Sequence, residues 1–468
     1  MFLLLPVFLL SGCSTNYVES IDVVREGDIV KIVSNMSDGS KESEIIQVVQ
    51  GQDGKDGEDL TITTLFDELV EKGLYEETEF DVFLHDYFKD EYEEYENNLS
   101  LQFTNKALQS AVIFYSEFHI PQTKKSEMYC GAGVIYKMDE DYSYILTNYH
   151  VVYLYKSADN YTVNNYATNT YIYTYGGQVG FVTNSTASAN GYVEHTMSED
   201  ALEVEILGGA AVYDTAVVRV ETAKLKEQNP TARAVDVADM YSAGEDAIAI
   251  GNPEGEGVSV TKGVVSVESQ NLTMQRCDSS EEHRFRVMRI DTSVNGGNSG
   301  GGLYNKKGEL IGLVNAKTYT NSEGKDLENY AYALPVDMVV KVADQVIEKY
   351  DGYLHEVTRV LMGVTYNTDN AHQVYENGLI TLKDEFKIVD VTSGKVADRC
   401  GIQKDDVVQG VIINGTTHLA NRAFEIGDWL LACGNQDKVA FVVLRNGVTF
   451  NTSETTIQNS DLVIVDKE

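Results

Sequence analysis

The chain has 468 residues, too many for one hydrophobic core, and so divides into two to four domains. It is 43% hydrophobic and 10% aromatic, which supports globular folding and excludes a disordered chain. A net charge of −37 argues against nucleic acid as a partner, because the phosphate backbone would be repelled.

Residues 2–10 form an apolar run too short to span a bilayer. It ends in Leu10-Ser11-Gly12-Cys13, small residues before a cysteine, as in a processed leader. This resembles the bacterial lipoprotein signal, with 1–12 removed and Cys13 acylated. The expected location is then extracytoplasmic and lipid-anchored to a bacterial membrane. In the polar region 13–59, Ile29-Val30-Lys31-Ile32-Val33 and Ile45-Ile46-Gln47-Val48-Val49 read as strands around a turn at Asp38-Gly39-Ser40. Gly51-Gln52-Asp53-Gly54-Lys55-Asp56-Gly57 has a Gly-x-y period but is far too short for a triple helix, so it reads as a linker. An acidic helical spacer is expected over 60–98. Thr64 caps a short helix that ends at Gly73, and Phe80, Leu84, Phe88, Tyr92 and Tyr95 recur at helical spacing. Residues 51–98 hold 17 acidic residues against three lysines, so the face opposite that stripe is solvated.

From residue 99 to 350 strand-like runs dominate. Cys130-Gly131-Ala132-Gly133-Val134-Ile135-Tyr136 precedes Tyr144-Ile145-Leu146, which leads into Thr147-Asn148-Tyr149-His150-Val151-Val152. Residues 158–192, rich in Tyr, Asn and Thr, suit extra hairpin strands. Tyr213-Asp214 opens the run Thr215-Ala216-Val217-Val218-Arg219-Val220, and Ala249-Ile250-Gly251-Asn252-Pro253 precedes another strand at 258–265. Gly297-Asn298-Ser299-Gly300-Gly301 is followed by two short strands around Lys306-Lys307-Gly308. Tyr332-Ala333-Leu334-Pro335-Val336 leads into a helix with Val339, Val340, Val342, Ala343, Val346 and Ile347 on one face.

Three of these fragments can act together. A serine hydroxyl needs a neighbouring base to become a nucleophile, and a histidine base needs a carboxylate to fix its tautomer. Ser299, His150 and Asp214 supply those groups in the chain order His, Asp, Ser. Glycines around Ser299 allow a tight turn that can aim the Gly297 and Ser299 N–H groups at an oxyanion.

Residues 356–459 form another β-rich unit. Val360-Leu361-Met362-Gly363-Val364 opens it, and Val396-Ala397-Asp398-Arg399-Cys400 reads as a short helix. Asn414-Gly415 and Asn446-Gly447 are hairpin turns, and 424–432 reads as a second helix. Residues 460–468 read as an acidic tail. Cys130, Cys277, Cys400 and Cys433 have no metal spacing and read as buried thiols, with Cys130–Cys277 the one bridge to check. The eight histidines show no zinc pattern, so no cofactor is expected.

Residues 105–460 resemble the HtrA/Deg serine proteases on these motifs. The resemblance implies a mainly β fold: a trypsin-like double β-barrel followed by a PDZ domain, after a small region of short strands and acidic helices. It implies catalysis by His150, Asp214 and Ser299, with Gly297 and Ser299 forming the oxyanion hole. Ser293, Val294, Asn295 and Gly296, with Leu313, Val314, Asn315 and Ala316, should wall the primary pocket. That stretch has no acidic residue before Gly297, which favours small or medium apolar side chains. Leu361, Met362, Gly363 and Val364 should bind peptide chain ends. Unfolded or misfolded polypeptides are the implied substrates, and trimers are common in the resembled family. Gly296 and Gly302 stand where that family usually has proline, and the 64-residue His150–Asp214 spacing is long for it. Glutamate-specific secreted proteases share the His and Ser motifs but not the C-terminal unit. The alternative is a catalytically idle peptide-binding chaperone or scaffold on the cell surface.

Overall fold

A computed structural model describes residues 18–26, 29–36, 41–47, 101–158, 161–315, 330–376 and 379–467. It divides into two compact units, Met1–Glu96 and Asn97–Glu468. In the first unit Val18–Glu26, Ile29–Met36 and Lys41–Gln47 pair antiparallel as a three-stranded sheet, one strand more than the sequence suggested. Cys13, the apolar run 2–10, the linker 51–57 and the helical spacer 60–98 lie outside the described residues.

The second unit is mainly β, as expected of a trypsin-like fold. Its first lobe is an eight-stranded sheet in which Ala111–Ile120, Lys125–Met138, Tyr142–Thr147 and Thr215–Glu221 are successive neighbours. Thr215–Glu221 is buried on both faces over most of its length, which suits its β-branched residues. The second lobe is a closed barrel of six strands: Asp246–Gly251, Ser259–Gln275, Glu282–Ile290, Ala331–Pro335, Leu310–Asn315 and Gly302–Tyr304. Helix Val336–Lys349 follows, starting after Pro335, which cannot donate a backbone hydrogen bond. It buries Val336, Val339, Val342, Ala343 and Val346 in the core shared with the barrel. Each fully buried valine is worth about 1.5–3 kcal/mol relative to exposure.

The run 158–192 does form strands, but they are not all peripheral. Asn169–Thr174 sits inside the first lobe's sheet beside Ala111–Ile120, with Ile172 and Tyr173 fully buried. Tyr161–Tyr166, paired with Tyr153–Ala158, and Phe181–Thr183, paired with His195–Met197, lie in separate two-stranded sheets.

The remaining unit has its own core around Ile388, Val396, Ile426, Val439 and Phe441. Its sheet runs Val364–Glu376, Leu379–Val391, Val407–Ile413, Lys438–Arg445 and Val448–Asn451, so Val364–Glu376 is an edge strand. Helix Ala423–Leu431 packs on it. Asn414 and Gly415 both have positive φ, 49° and 85°, as a two-residue hairpin turn requires. Residues 460–467 are not a free acidic tail: Leu462–Ile464 pairs with Thr358–Val360, and Val465 is buried.

Candidate active site

His150 lies on the single helical turn Tyr149–Val152, just beyond strand Tyr142–Thr147. Asp214 ends the turn that precedes strand Thr215–Glu221, the neighbour of that first strand. Adjacent pairing therefore brings two residues 64 positions apart into contact. The His150 ring Nδ1 is 2.8 Å from Asp214 Oδ2, and the His150 backbone N–H donates to Asp214 Oδ1 at 3.0 Å. Asp214 is 2% exposed. Its carbonyl accepts from Tyr149 N–H and from Asn148 Nδ2, both at 3.0 Å. An ionised Asp214 keeps the proton on Nδ1 and leaves Nε2 as the basic nitrogen.

Ser299 sits in a turn wedged between the two lobes. Its carbonyl accepts from Ala132 N–H at 2.8 Å, and Gly300 N–H donates to Val314 O at 2.9 Å. Gly300 has φ +81°, and a Cβ there would stand 2.2 Å from Thr147 Oγ1 and 2.8 Å from Asn148 N. The serine turn thus presses on the backbone two residues before His150, an approach that only glycine permits. Gly297 has φ +93°, and a Cβ there would stand 2.0 Å from Asn252 O. Among the described residues, the N–H groups of Gly297 and Ser299 have no hydrogen-bond acceptor.

The expected pocket wall needs correction. Leu313 and Val314 bury their side chains in the barrel core, and the backbone of Val314 bonds the serine turn on both sides. Asn315 is 1% exposed and donates from Nδ2 to Asp214 Oδ2 at 2.9 Å. The strand thus holds Ser299 and Asp214 in place, and these side chains are not free to face a substrate. Ala316 lies outside the described residues. Ser293–Gly296 remains beside the serine turn: Gly296 O accepts from Glu254 N–H, and Val294 packs against the core. Cys130 and Cys277 are not joined by a disulfide, so the one bridge to check does not form. Burial pushes the Cys130 thiol up, consistent with an unreactive group.

In the other expected site, Gly363 has φ +78° and a Cβ there would stand 2.3 Å from Lys395 Cβ. Leu361 N–H already donates to Asp461 O at 2.8 Å. Among the described residues this leaves the N–H groups of Met362 and Gly363 without an acceptor, next to the edge strand Val364–Glu376.

Sequence reasoning missed Asn148 and Asp466, which holds the turn before Asp214, and it gave Asn315 a place in the pocket wall instead of a bond to Asp214. Asn148 had a faint signal, two positions before His150. Asp466 had none.

The two lobes and this arrangement define a trypsin-like serine peptidase. Residues 131–313 match the family model of the trypsin-like peptidase domain. The chain is similar to "Serine protease Do-like HtrA" of Bacillus subtilis (strain 168), with 26% identity covering 74% of this chain and 67% of that one. It is 31% identical to "Probable periplasmic serine endoprotease DegP-like" of Ectopseudomonas mendocina, covering 47% of this chain but only 42% of that one. A third relative, "Serine protease Do-like HtrA" of Lactococcus lactis, is 26% identical over 70% of this chain and 71% of its own length. The chain thus carries a trypsin-like peptidase domain and is similar to the HtrA-type serine proteases.

Proposed function

We propose that this chain is an endopeptidase that hydrolyses peptide bonds of unfolded or damaged proteins outside the cytoplasm through an acyl-enzyme. The observation that carries the reading is the His150–Asp214 pair set against the Ser299 turn. Ser299 Oγ attacks the scissile carbonyl carbon while His150 Nε2 takes the hydroxyl proton. The carbonyl electron pair moves onto oxygen, where the N–H groups of Gly297 and Ser299 receive it. Collapse breaks the C–N bond, and His150 returns the proton to the leaving amine. Water then attacks the ester by the same route in reverse, freeing the acid and Ser299. Asp214 holds the imidazole and stabilises its charged form throughout.

The 356–459 unit acts as a PDZ domain in this reading. A peptide adds as a strand along the edge strand Val364–Glu376, with its carboxylate on the Met362 and Gly363 N–H groups. Cys13 carries the lipid anchor. Cys13→Ser should release the protein from the membrane fraction or leave it unprocessed.

The deciding experiment compares wild type with Ser299→Ala in casein hydrolysis, fluorophosphonate labelling and thermal melting. The variant should lose labelling and nearly all hydrolysis, keeping at most roughly 10³–10⁴-fold catalysis over water, with its melting unchanged. Equal hydrolysis by the two proteins would overturn the assignment.

A further inference from the structure

The turn that delivers Asp214 is gripped by parts of the chain far from it. Asp466 Oδ2 accepts from Ala211 N–H at 3.0 Å, and Asp466 Oδ1 accepts from Val212 N–H at 2.8 Å. These are the third and second residues before Asp214. On the other side of the turn, His283 Nε2 lies 2.9 Å from Val212 O, and Cys277 Sγ donates to Ala211 O at 3.4 Å. Asp466 is itself held. Arg276, paired with Asp278, donates to Asp466 O at 2.9 Å. Val465 N–H donates to Val357 O, and Lys467 pairs with Glu356.

Asp214 has φ +45°, in the left-handed region. The conformation costs an L-residue roughly 1–2 kcal/mol, although Asp tolerates it better than most, so bonds to the turn help to hold it. The two preceding N–H groups are the handles by which the turn can be held. A bidentate carboxylate is a strong acceptor for both, because the bonds are charge-assisted.

We infer that Asp466 is a positioning residue for catalysis: by clamping Ala211 and Val212 it keeps the Asp214 carboxylate in register with His150. The inference rests on the protease reading above. It adds a contributor from the last described segment of the chain, whose strand Leu462–Ile464 pairs with Thr358–Val360 and whose Val465 is buried in the core shared with the barrel. Without the clamp the turn relaxes, the Asp214 carboxylate moves off Nδ1, and the imidazolium loses part of its stabilisation.

The test is the rate of Ser299 labelling by a fluorophosphonate probe across pH in the full chain, with melting measured alongside. Asp466→Ala should slow labelling at saturating probe roughly 10- to 100-fold, the penalty of a small misplacement, with little change in probe affinity. The acid limb of the pH profile should shift to lower pH, because His150 binds its proton less tightly. Asp466→Asn keeps one acceptor oxygen and should fall between the two; it also decides the question if the alanine variant does not fold. Wild-type rates and an unmoved acid limb in a folded variant would overturn the inference while leaving the protease reading intact. Absence of wild-type labelling, or labelling that survives in Ser299→Ala, would overturn both.

Discussion

Two buried carboxylates in this molecule each face a basic side chain, with different consequences. Asp214 meets His150, whose side chain is 27% exposed, at the junction of the lobes. Asp428, on helix Ala423–Leu431, meets Arg286 of the closed barrel, whose side chain is 6% exposed. Arg286 also bonds Asp337 at 2.6 Å and Tyr241 at 3.0 Å, and it lies over the Phe424 ring. Imidazole can gain and lose a proton near neutral pH; guanidinium cannot. The first pair can therefore move protons. The second can only hold, and it pins helix Ala423–Leu431 to the barrel. A buried carboxylate becomes chemistry when its partner titrates and has an open side.

The largest expected effect breaks the first pair. Asp214→Asn lets an amide N–H face Nδ1 and puts the imidazole proton on Nε2, the wrong nitrogen. Fluorophosphonate labelling should fall about 10⁴-fold with melting nearly unchanged. A loss of less than tenfold would mean that His150 does not depend on Asp214.

Breaking the second pair should show as stability, not catalysis. Arg286→Met leaves Asp337 and Asp428 buried without their shared cation, at a cost of about 3–5 kcal/mol. Urea unfolding followed by the fluorescence of Trp429, which lies on that helix, should report it. Unchanged unfolding would show that the apolar contacts alone hold the units together.

A smaller effect sharpens the first pair. Asn315→Ala removes one donor from the Asp214 carboxylate, a charge-assisted bond worth about 1.5–3 kcal/mol. Labelling should slow by roughly tenfold or more, the equivalent of that loss at 1.4 kcal/mol per decade. If labelling keeps its wild-type rate, the two His150 contacts suffice to hold Asp214.

The smallest effect concerns pH. Burial, with repulsion from Asp337, raises the Asp428 carboxyl above its ordinary range, although Arg286 opposes the shift. The folded form then binds that proton more readily than the unfolded chain. Its contribution to stability is present in acid and fades as pH rises through the raised value. Asp337 runs the other way: burial would raise it, but the attraction and hydrogen bond of Arg286 outweigh that and lower it. Its contribution is present near neutrality and lost in acid. Asp428→Asn should therefore flatten the melting profile between the ordinary carboxylate range and neutral pH, leaving the acid limb. An unaltered slope would mean that Asp428 stays ionised throughout.

The catalytic fragments were legible because each is a local pattern. A histidine just after a strand, an aspartate just before one and a serine among glycines keep those relations whatever the rest of the chain does. The Asn-Gly turns and the helix after Pro335 were legible for the same reason. Leu313 and Asn315 were misread as pocket wall. Their strand was recognised, but which face of a strand meets the core depends on the barrel around it. Asn315 acts on a residue 101 positions away, and Asp466 on one 255 away.

By itself, the sequence determined the mainly β class, the order of His150, Asp214 and Ser299, and the positions where only glycine fits. These follow from side-chain chemistry, backbone sterics and short-range periodicity. Only the tertiary structure decided that Asn315 faces Asp214, that Arg286 lies between Asp337 and Asp428, and that Asp466 grips the turn before Asp214. A polar side chain that is to be buried must find a partner, and that partner is set by how strands and units close on one another.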